Sequence, residues 1–122
     1  MDKLDTIFAM QKQLNEDIIK RRGLSGIPAE VWMQRQTLAL LSEMAELLAE
    51  INFKWWKNPK PVDQAAVEEE LTDMLHFFIS MCLSAGMSAE GLFERYLAKN
   101  AENFKRQDGT SVKKGYEAGN IS

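Results

Sequence analysis

The sequence predicts an all-α domain in which four to five helices pack as a bundle. Apolar residues recur at intervals of three and four along nearly the whole chain, as they do on one face of a helix. Glycine or proline interrupts this pattern at a few points, and the alternating pattern of a β-strand is nearly absent. The 122 residues suit a single domain with one modest core.

The segment GLSG separates the first two predicted helices. The first is expected over roughly Lys3–Arg22 and ends at that segment. Pro28 suits the first turn of the second helix, because proline lacks the backbone N–H that has no partner there. This helix should end near Phe53 or Trp56, before the helix-breaking segment NPKP. The apolar positions are Leu4, Ile7, Phe8, Leu14 and Ile18 in the first helix, and Val31, Trp32, Leu38, Leu41, Ala45 and Leu48 in the second.

Two further helices complete the predicted bundle. Asp63 is expected to cap the third, which reaches about Ala85 and is stopped by Gly86. Ser88 should cap the fourth, AEGLFERYLAKNAENFKR, and the residues from Gln107 onward are expected to form a loose tail. Several wide apolar faces on so short a chain also predict that a second subunit covers some of them.

The composition excludes several classes of protein. With 45% hydrophobic and 27% charged residues the chain is neither disordered nor membrane-embedded, and a net charge of -3 disfavours a nucleic-acid partner. The single cysteine, Cys82, excludes an internal disulfide and is expected to be buried. The amphipathic start differs from a signal peptide, and no apolar run reaches about 18 residues, so we expect a cytoplasmic protein without a membrane partner.

Two acidic pairs with equal spacing lie on the second and third predicted helices. Glu43 and Glu46 form the first pair, and Glu70 and Asp73 form the second. Residues three apart on a helix have Cβ atoms about 5–6 Å from each other, so each pair lies on one side of its helix. If the two helices pack antiparallel, the four carboxylates converge. Four such charges at close range repel strongly and require protons or cations.

The two helices favour different interpretations of their acids. On the second, the glutamates lie opposite the apolar positions, which taken alone predicts a solvated face. On the third, Glu70 and Asp73 share a stripe with Phe77 and Met81, where carboxylates need a partner. A divalent metal would be such a partner. Glu50, on the same side as the first pair, is either a residue that supports the metal ligands or a surface residue.

The predicted ligands indicate which metal the site would hold. Carboxylates without a thiolate, and without a histidine at Glu-x-x-His spacing, favour Mg²⁺, with Mn²⁺ as a substitute. Mg²⁺ held by carboxylates commonly bridges phosphates, which indicates phosphoryl or nucleotidyl chemistry. His76, the only histidine, should point away from Asp73 and Phe77 by helical spacing. We expect it to be a hydrogen-bonded packing residue rather than a base.

The paired acidic motif resembles the metal motif of the MazG-like all-α nucleotide pyrophosphatases. FAMQKQLNEDI, INFKWWK and DMLHFFIS resemble segments of one branch, the dimeric all-α dUTPases, in the short form of Gram-positive bacteria and their phages. KNAENFKRQDGTSVKKGY resembles the C-terminal segment of that branch, so the resemblance extends from Phe8 to Tyr116. The insertions of its larger members are absent, which leaves any lid over the site short.

The resemblance implies a homodimeric, Mg²⁺-dependent dUTP diphosphatase. Glu43, Glu46, Glu70 and Asp73 would hold Mg²⁺ against the triphosphate. A water oriented by the first pair, with Glu43 preferred, would attack the α-phosphorus and release dUMP and pyrophosphate. dUDP is a further candidate substrate. The tail, roughly 107–122, would order on nucleotide binding.

The resemblance also implies contacts with each part of the nucleotide. Gln11 and Asn15 would bind the uracil edge, since a side-chain amide offers both a donor and an acceptor. Trp56 would wall the base pocket, and Phe77 would pack on the sugar and exclude a 2′-hydroxyl. The other expected contacts are Lys54, Lys57, Lys99, Asn103 and Arg106, with Lys113 and Lys114 available for phosphate. The alternative for each is an ordinary polar face, core aromatic or surface cation.

Two other functions stay open from the sequence. The same metal motif would serve a pyrophosphatase for another nucleotide, such as dCTP. A dimeric helical protein without enzymatic activity, which binds a protein partner, is the second alternative. The residues that contact the base distinguish a dUTPase from the first alternative. Stabilisation by Mg²⁺ distinguishes an enzyme with a metal site from the second.

Overall fold

The computed structural model describes residues 1–118, which form four α-helices. They are α1 (Lys3–Arg22), α2 (Ala29–Glu50), α3 (Gln64–Ser84) and α4 (Ala89–Asp108). No β-strand occurs within residues 1–118, so the predicted all-α class is confirmed. Among these helices none is long and apolar enough to cross a lipid bilayer.

Local sequence signals explain where α1 and α3 begin and end. The Asp2 carboxylate accepts from the backbone N–H of Asp5 at 2.8 Å, which satisfies a free donor in the first turn of α1. Gly23, with φ of 64°, ends α1 in the left-handed conformation that glycine adopts without strain. Asp63 caps α3 through the N–H groups of Ala65 and Ala66, as predicted.

The end of α2 differs from the prediction. The helix stops at Glu50 rather than near Phe53 or Trp56. Asn52 has a φ of 58°, which ends the helical path, and its side chain holds the backbone of Lys60 by two hydrogen bonds of 2.8 and 2.9 Å. Periodicity alone did not predict this early stop, because apolar residues continue to recur beyond it.

The described residues divide into two compact units, one formed by residues 1–88 and one that begins at Ala89. In the first unit α2 packs along α3, and α1 also packs on α3. Phe8, Ile79 and the predicted buried Cys82 lie in its core. The α2–α3 pair therefore brings together the two helices that contain the acidic motifs.

The apolar stripe of α2 is not buried within the chain. Leu38, Leu41 and Leu48 are 66%, 55% and 42% exposed, whereas Glu43 is half-buried and has one buried carboxylate oxygen. The interpretation of these glutamates as a solvated face opposite the core is therefore wrong for Glu43. Periodicity identifies the faces of a helix but not which face its neighbour covers.

The second unit contains α4 and the residues that follow it. The N–H groups of Thr110 and Ser111 both donate to the carbonyl of Lys105, at 3.0 and 3.1 Å. Ser111 is buried, and its hydroxyl donates to Glu102 at 2.5 Å. Residues 110 and 111 are thus hydrogen-bonded to α4, and the N–H of Ala118 donates to the carbonyl of Gln107 at 3.3 Å, so the predicted loose tail contacts α4 at these points. Ordering of the tail on nucleotide binding stays a prediction, and residues 119–122 lie outside the described range.

Candidate active site

α2 and α3 bring three of the four predicted metal ligands together. Glu43, Glu46 and Glu70 each place a carboxylate oxygen within 4.8 Å of the others. Asp73, one turn beyond Glu70, is half-buried, and its charge raises the pKa of Glu43. Glu50 is also half-buried but does not belong to this group. The two acidic motifs therefore converge as the antiparallel arrangement predicts.

Two oxygens in this cluster are buried without a hydrogen-bond donor. They are Oε2 of Glu43 and Oε2 of Glu70, neither of which has a partner among residues 1–118. A buried carboxylate oxygen without a donor is costly, and a proton or a cation relieves that cost. The arrangement is thus unfavourable when all the acids are ionised and nothing positive lies between them.

The carboxylates shift each other's pKa values. The hydrogen bond with Glu43, burial and the neighbouring Glu46 together raise the pKa of Glu70 to about 7. For Glu43, the hydrogen bond with Glu70 lowers the pKa. Burial and the charges of Glu46 and Asp73 outweigh this effect, so that the pKa of Glu43 is also raised. The cluster consequently retains a proton close to neutral pH when no metal is bound.

A cleft of about 780 Å³ extends from these carboxylates across the first unit. Glu43 and Asp73 line it, and so do Gln11, Asn15 and Phe77, the predicted base and sugar contacts. Its lining is drawn from residues 11–84, which belong to α1, α2, α3 and the α1–α2 connection. The volume suits one small organic ligand.

This cleft is also lined by polar and aromatic residues that the sequence analysis did not predict as contacts. Trp32, Gln36, Ser80 and Ser84 are among them, and the Ser84 hydroxyl donates to Gln36 at 2.8 Å. Trp32 was predicted only as an apolar position of α2. Ser80 lies one turn beyond His76 on α3, and this i, i+4 spacing was the one available signal that the two share a face.

His76 lines the same cleft as Asp73 and Phe77. The expectation that it points away from them is therefore wrong, because residues three apart on a helix, as Asp73 and His76 are, lie on the same side of it. Its Nδ1 lies 2.5 Å from Oε1 of Gln11, which confirms the predicted hydrogen bond, but the residue is exposed rather than packed in the core.

The predicted contacts from the α2–α3 connection lie elsewhere. Trp56 is 60% exposed, packs edge-on against Trp55 with ring centroids 5.6 Å apart, and is not among the residues that line the cleft. Lys54 and Lys57 line a separate cavity of about 270 Å³, together with Lys60. The single chain does not bring these residues to the cleft.

The predicted contacts on α4 belong to the second unit. Lys99 and Asn103 are exposed. Arg106 donates from Nε to Glu102 at 3.3 Å, and its guanidinium carbon lies 5.2 Å from the ring centroid of Tyr116. Lys113 approaches the same ring at 5.7 Å. The second unit thus groups cations around one tyrosine, and a role of this group in binding phosphate stays a prediction.

The sequence profile of the dUTPase family matches residues 3–88. This range contains both acidic motifs and every residue that lines the cleft. The chain belongs to the all-α dUTPase family. The cleft and carboxylate cluster of this dUTPase-family chain therefore lie within the part that defines the family.

Curated relatives come from bacteriophages. The chain is 37% identical over 75 residues to a dCTP pyrophosphatase of Enterobacteria phage LZ5, a match that covers 62% of this chain and 44% of that protein. It is 35% identical over 88 residues to a dCTP pyrophosphatase of Enterobacteria phage T4, which covers 61% and 52%. A DNA replication protein of phage T4 is 32% identical over 80 residues, covering 54% of this chain and 20% of that protein. The chain thus spans about half the length of the first two relatives, and no solved structure matches it.

Proposed function

We propose that this dUTPase-family protein hydrolyses dUTP to dUMP and pyrophosphate in a Mg²⁺-dependent reaction. The main support is the pair of buried, donor-free oxygens of Glu43 and Glu70, beside Glu46, at a cleft lined by side-chain amides. Such a cluster favours a cation, and a carboxylate-bound cation favours a phosphate-containing ligand.

The chemistry of the cluster fits the proposed ion. The ligands are all carboxylate oxygens, which suit Mg²⁺ or, as a substitute, Mn²⁺. Glu43, Glu46, Glu70 and Asp73 would hold it. When bound, Mg²⁺ would offset phosphate charge and make a coordinated water more acidic.

The remaining steps fall to the side chains of the cleft. Gln11 and Asn15 would bind the edge of the base through their amides, and Phe77 would pack on the deoxyribose. The carboxylate of Glu43, which lines the cleft, would orient the attacking water and accept its proton. Attack at the α-phosphorus leaves pyrophosphate as the second product.

Hydrolysis of a panel of nucleotides tests this proposal. Purified protein with Mg²⁺ should release pyrophosphate from dUTP, and dUDP should be tested as a source of phosphate. Glu46→Gln should lower kcat by about 10²-fold or more, as expected for loss of a metal-binding carboxylate. Glu69→Gln, at an exposed carboxylate on α3 next to Glu70, is the control and should retain activity. If dUTP and every other nucleotide of the panel stay intact, the proposal is refuted.

A second candidate substrate is dCTP. Its support is that two phage relatives, at 37% and 35% identity, are named dCTP pyrophosphatases. Cleavage of dCTP in preference to dUTP would replace the substrate and keep the proposed metal chemistry. An inert protein that shows no stabilisation by Mg²⁺ would instead favour the non-enzymatic interaction protein.

We further propose that a second copy of the chain covers the exposed stripe of α2. Leu38, Leu41, Ala45 and Leu48 follow the alternating three- and four-residue spacing of a helix–helix seam, and the three leucines are at least 42% exposed. A two-fold axis at this stripe would pair it with itself. Leu41→Glu should convert the dimer to a monomer in sedimentation equilibrium, whereas Gln13→Glu on α1 should not. A monomeric wild-type protein would refute this.

A further inference from the structure

Four side chains in the cleft form a hydrogen-bonded chain between α1 and α3. Nδ1 of His76 contacts Oε1 of Gln11 at 2.5 Å, and Nε2 of Gln11 donates to Oδ1 of Asn15 at 2.9 Å. Nδ2 of Asn15 then donates to Oγ of Ser80 at 3.1 Å, and Oγ of Ser80 donates to the backbone carbonyl of His76 at 2.8 Å. The chain of contacts begins and ends at the same residue.

The hydroxyl of Ser80 determines the direction of the whole chain. A carbonyl oxygen has no proton, so the 2.8 Å contact with the His76 carbonyl requires the single hydroxyl proton of Ser80. Ser80 therefore accepts from Asn15, which directs the Asn15 amide nitrogen at Ser80 and its oxygen at Gln11. The Gln11 oxygen is in turn directed at His76, whose Nδ1 has to be the donor.

Two of the four residues are buried, whereas Asn15 is half-buried and His76 is exposed, and the two buried ones make this direction difficult to reverse. Gln11 and Ser80 are only 7% and 3% exposed, so neither can readily exchange its partner for water. Reversing one amide alone would place two donors or two acceptors against each other, which costs about 1–3 kcal/mol for a buried group. The two amides would therefore have to reverse together, with a change of the histidine tautomer.

The direction of these amides bears on the choice of base. Uracil offers a donor at N3 and an acceptor at O4, whereas cytosine offers an acceptor at N3 and a donor at its 4-amino group. Reversing a side-chain amide exchanges a donor and an acceptor in the same way. Gln11 and Asn15 each keep one N–H and one lone pair beyond the chain, so its direction decides where the cleft presents each of them.

We infer that Ser80 and His76 are positioning residues that fix the direction of the Gln11 and Asn15 amides and thereby set the choice between uracil and cytosine. This inference rests on the proposed function, since it assumes that the cleft binds the base of a pyrimidine nucleotide. It adds Ser80 and His76 to the specificity determinants, although neither has to touch the substrate.

The tautomer of His76 tests the direction of this hydrogen-bonded chain without a measurement of catalysis. His76 is the only histidine in the chain, so its imidazole ¹⁵N signals are unambiguous. At about pH 8, where free imidazole is neutral, the protein should show the Nδ1–H tautomer. Ser80→Ala removes the acceptor of Asn15 and should introduce the Nε2–H form. A wild-type protein in the Nε2–H form would overturn the proposed direction.

Matched substitutions of His76 test the consequence for base choice. In His76→Asn the amide nitrogen occupies a place close to Nδ1 and keeps the donor, whereas His76→Gln places its amide near Nε2. The ratio of dUMP to dCMP affinity, measured by calorimetry with Mg²⁺, should stay within about threefold of wild type in His76→Asn. It should change about tenfold in His76→Gln and Ser80→Ala, as expected for one mispaired hydrogen bond.

Each outcome separates the inference from the proposed function. Equal losses of affinity for both nucleotides in Ser80→Ala, with an unchanged ratio, would reduce Ser80 to a structural role and refute the inference. Binding of neither nucleotide by the wild type would refute the base-choice step. Absence of triphosphate hydrolysis with normal dUMP binding would refute the proposed function alone.

Discussion

Glu43 on α2 and Glu70 on α3 lie close enough to share a proton, and each has a buried Oε2 without a donor among the described residues. This contact joins the two acidic motifs, which are 27 residues apart in the chain. Because both side chains are acids, the contact is favourable only with a proton or a cation between them. The stability of the protein should therefore depend on pH and on the presence of a divalent cation.

The free energy of unfolding of the metal-free protein should fall as the pH rises from about 4.5 to about 7. The folded state raises the pKa of Glu70 from 4.5 to about 7, so in this interval it binds a proton that the unfolded chain has released. The stability that Glu70 contributes is fully present below its unfolded pKa and is lost as the pH rises through its folded pKa. Urea unfolding in a chelating buffer at a series of pH values measures this.

Glu70→Gln should flatten that dependence, and Glu69→Gln should preserve it. The lowered pKa values of Glu102, bonded to Ser111 and Arg106, and of Asp108, bonded to Thr110, act in the opposite direction. The stability that they contribute is lost as the pH falls through their folded pKa values, which lie below the interval from about pH 4.5 to about pH 7. A stability that rises between about pH 5 and 7 in the wild type would contradict the prediction.

Mg²⁺ should stabilise the folded protein, and more strongly at about pH 8 than at about pH 5.5. A ligand that binds only the folded state adds about 2.7 kcal/mol at 100 times its Kd. Protons compete for the same carboxylates, which weakens binding at the lower pH. Thermal unfolding with increasing MgCl₂ measures the effect, which Glu46→Gln should greatly reduce and Glu69→Gln should not. Equal Tm shifts in wild type and Glu46→Gln would place the ion elsewhere.

Phe77→Ala should weaken the preference for deoxyribose. Phe77 is half-buried in the lining of the cleft, one turn beyond Asp73, where its ring would leave no space for a 2′-hydroxyl. The ratio of kcat/KM for dUTP over UTP should fall about tenfold, as for other contacts of one or two methylene groups. Phe77→Leu retains most of the bulk and should retain most of the ratio. An unchanged ratio in Phe77→Ala would assign the ring to packing alone.

Asn52→Ala should destabilise the protein more than Asn52→Gly does. Both substitutions remove the two hydrogen bonds to Lys60, each of which contributes about 1 kcal/mol. Alanine also has to adopt the φ of 58°, at a cost of about 1–2 kcal/mol that glycine avoids. Chemical denaturation of the two variants measures the difference. Equal losses would show that the left-handed conformation relaxes when the side chain is removed.

The sequence predicted the third helix and its acids closely. Asp63 as a cap and Gly86 as a stop bracket α3, since both signals act through neighbouring backbone atoms. The stripe that Glu70 and Asp73 share with Phe77 correctly indicated that these acids are not freely solvated, since both are half-buried. Local signals of this kind depend on helix geometry, which is the same in any fold.

The sequence by itself determined the number and nature of the helices and the spacing of the two acidic motifs. Tertiary structure alone decided that α2 presents Glu43 rather than Leu41 to α3, because periodicity does not specify which face a neighbour covers. It also joined Gln11 to His76 and Asn15 to Ser80, each pair 65 residues apart, in a chain whose direction follows from one hydroxyl proton. No spacing rule within a helix encodes such contacts, since they arise only when α1 packs on α3.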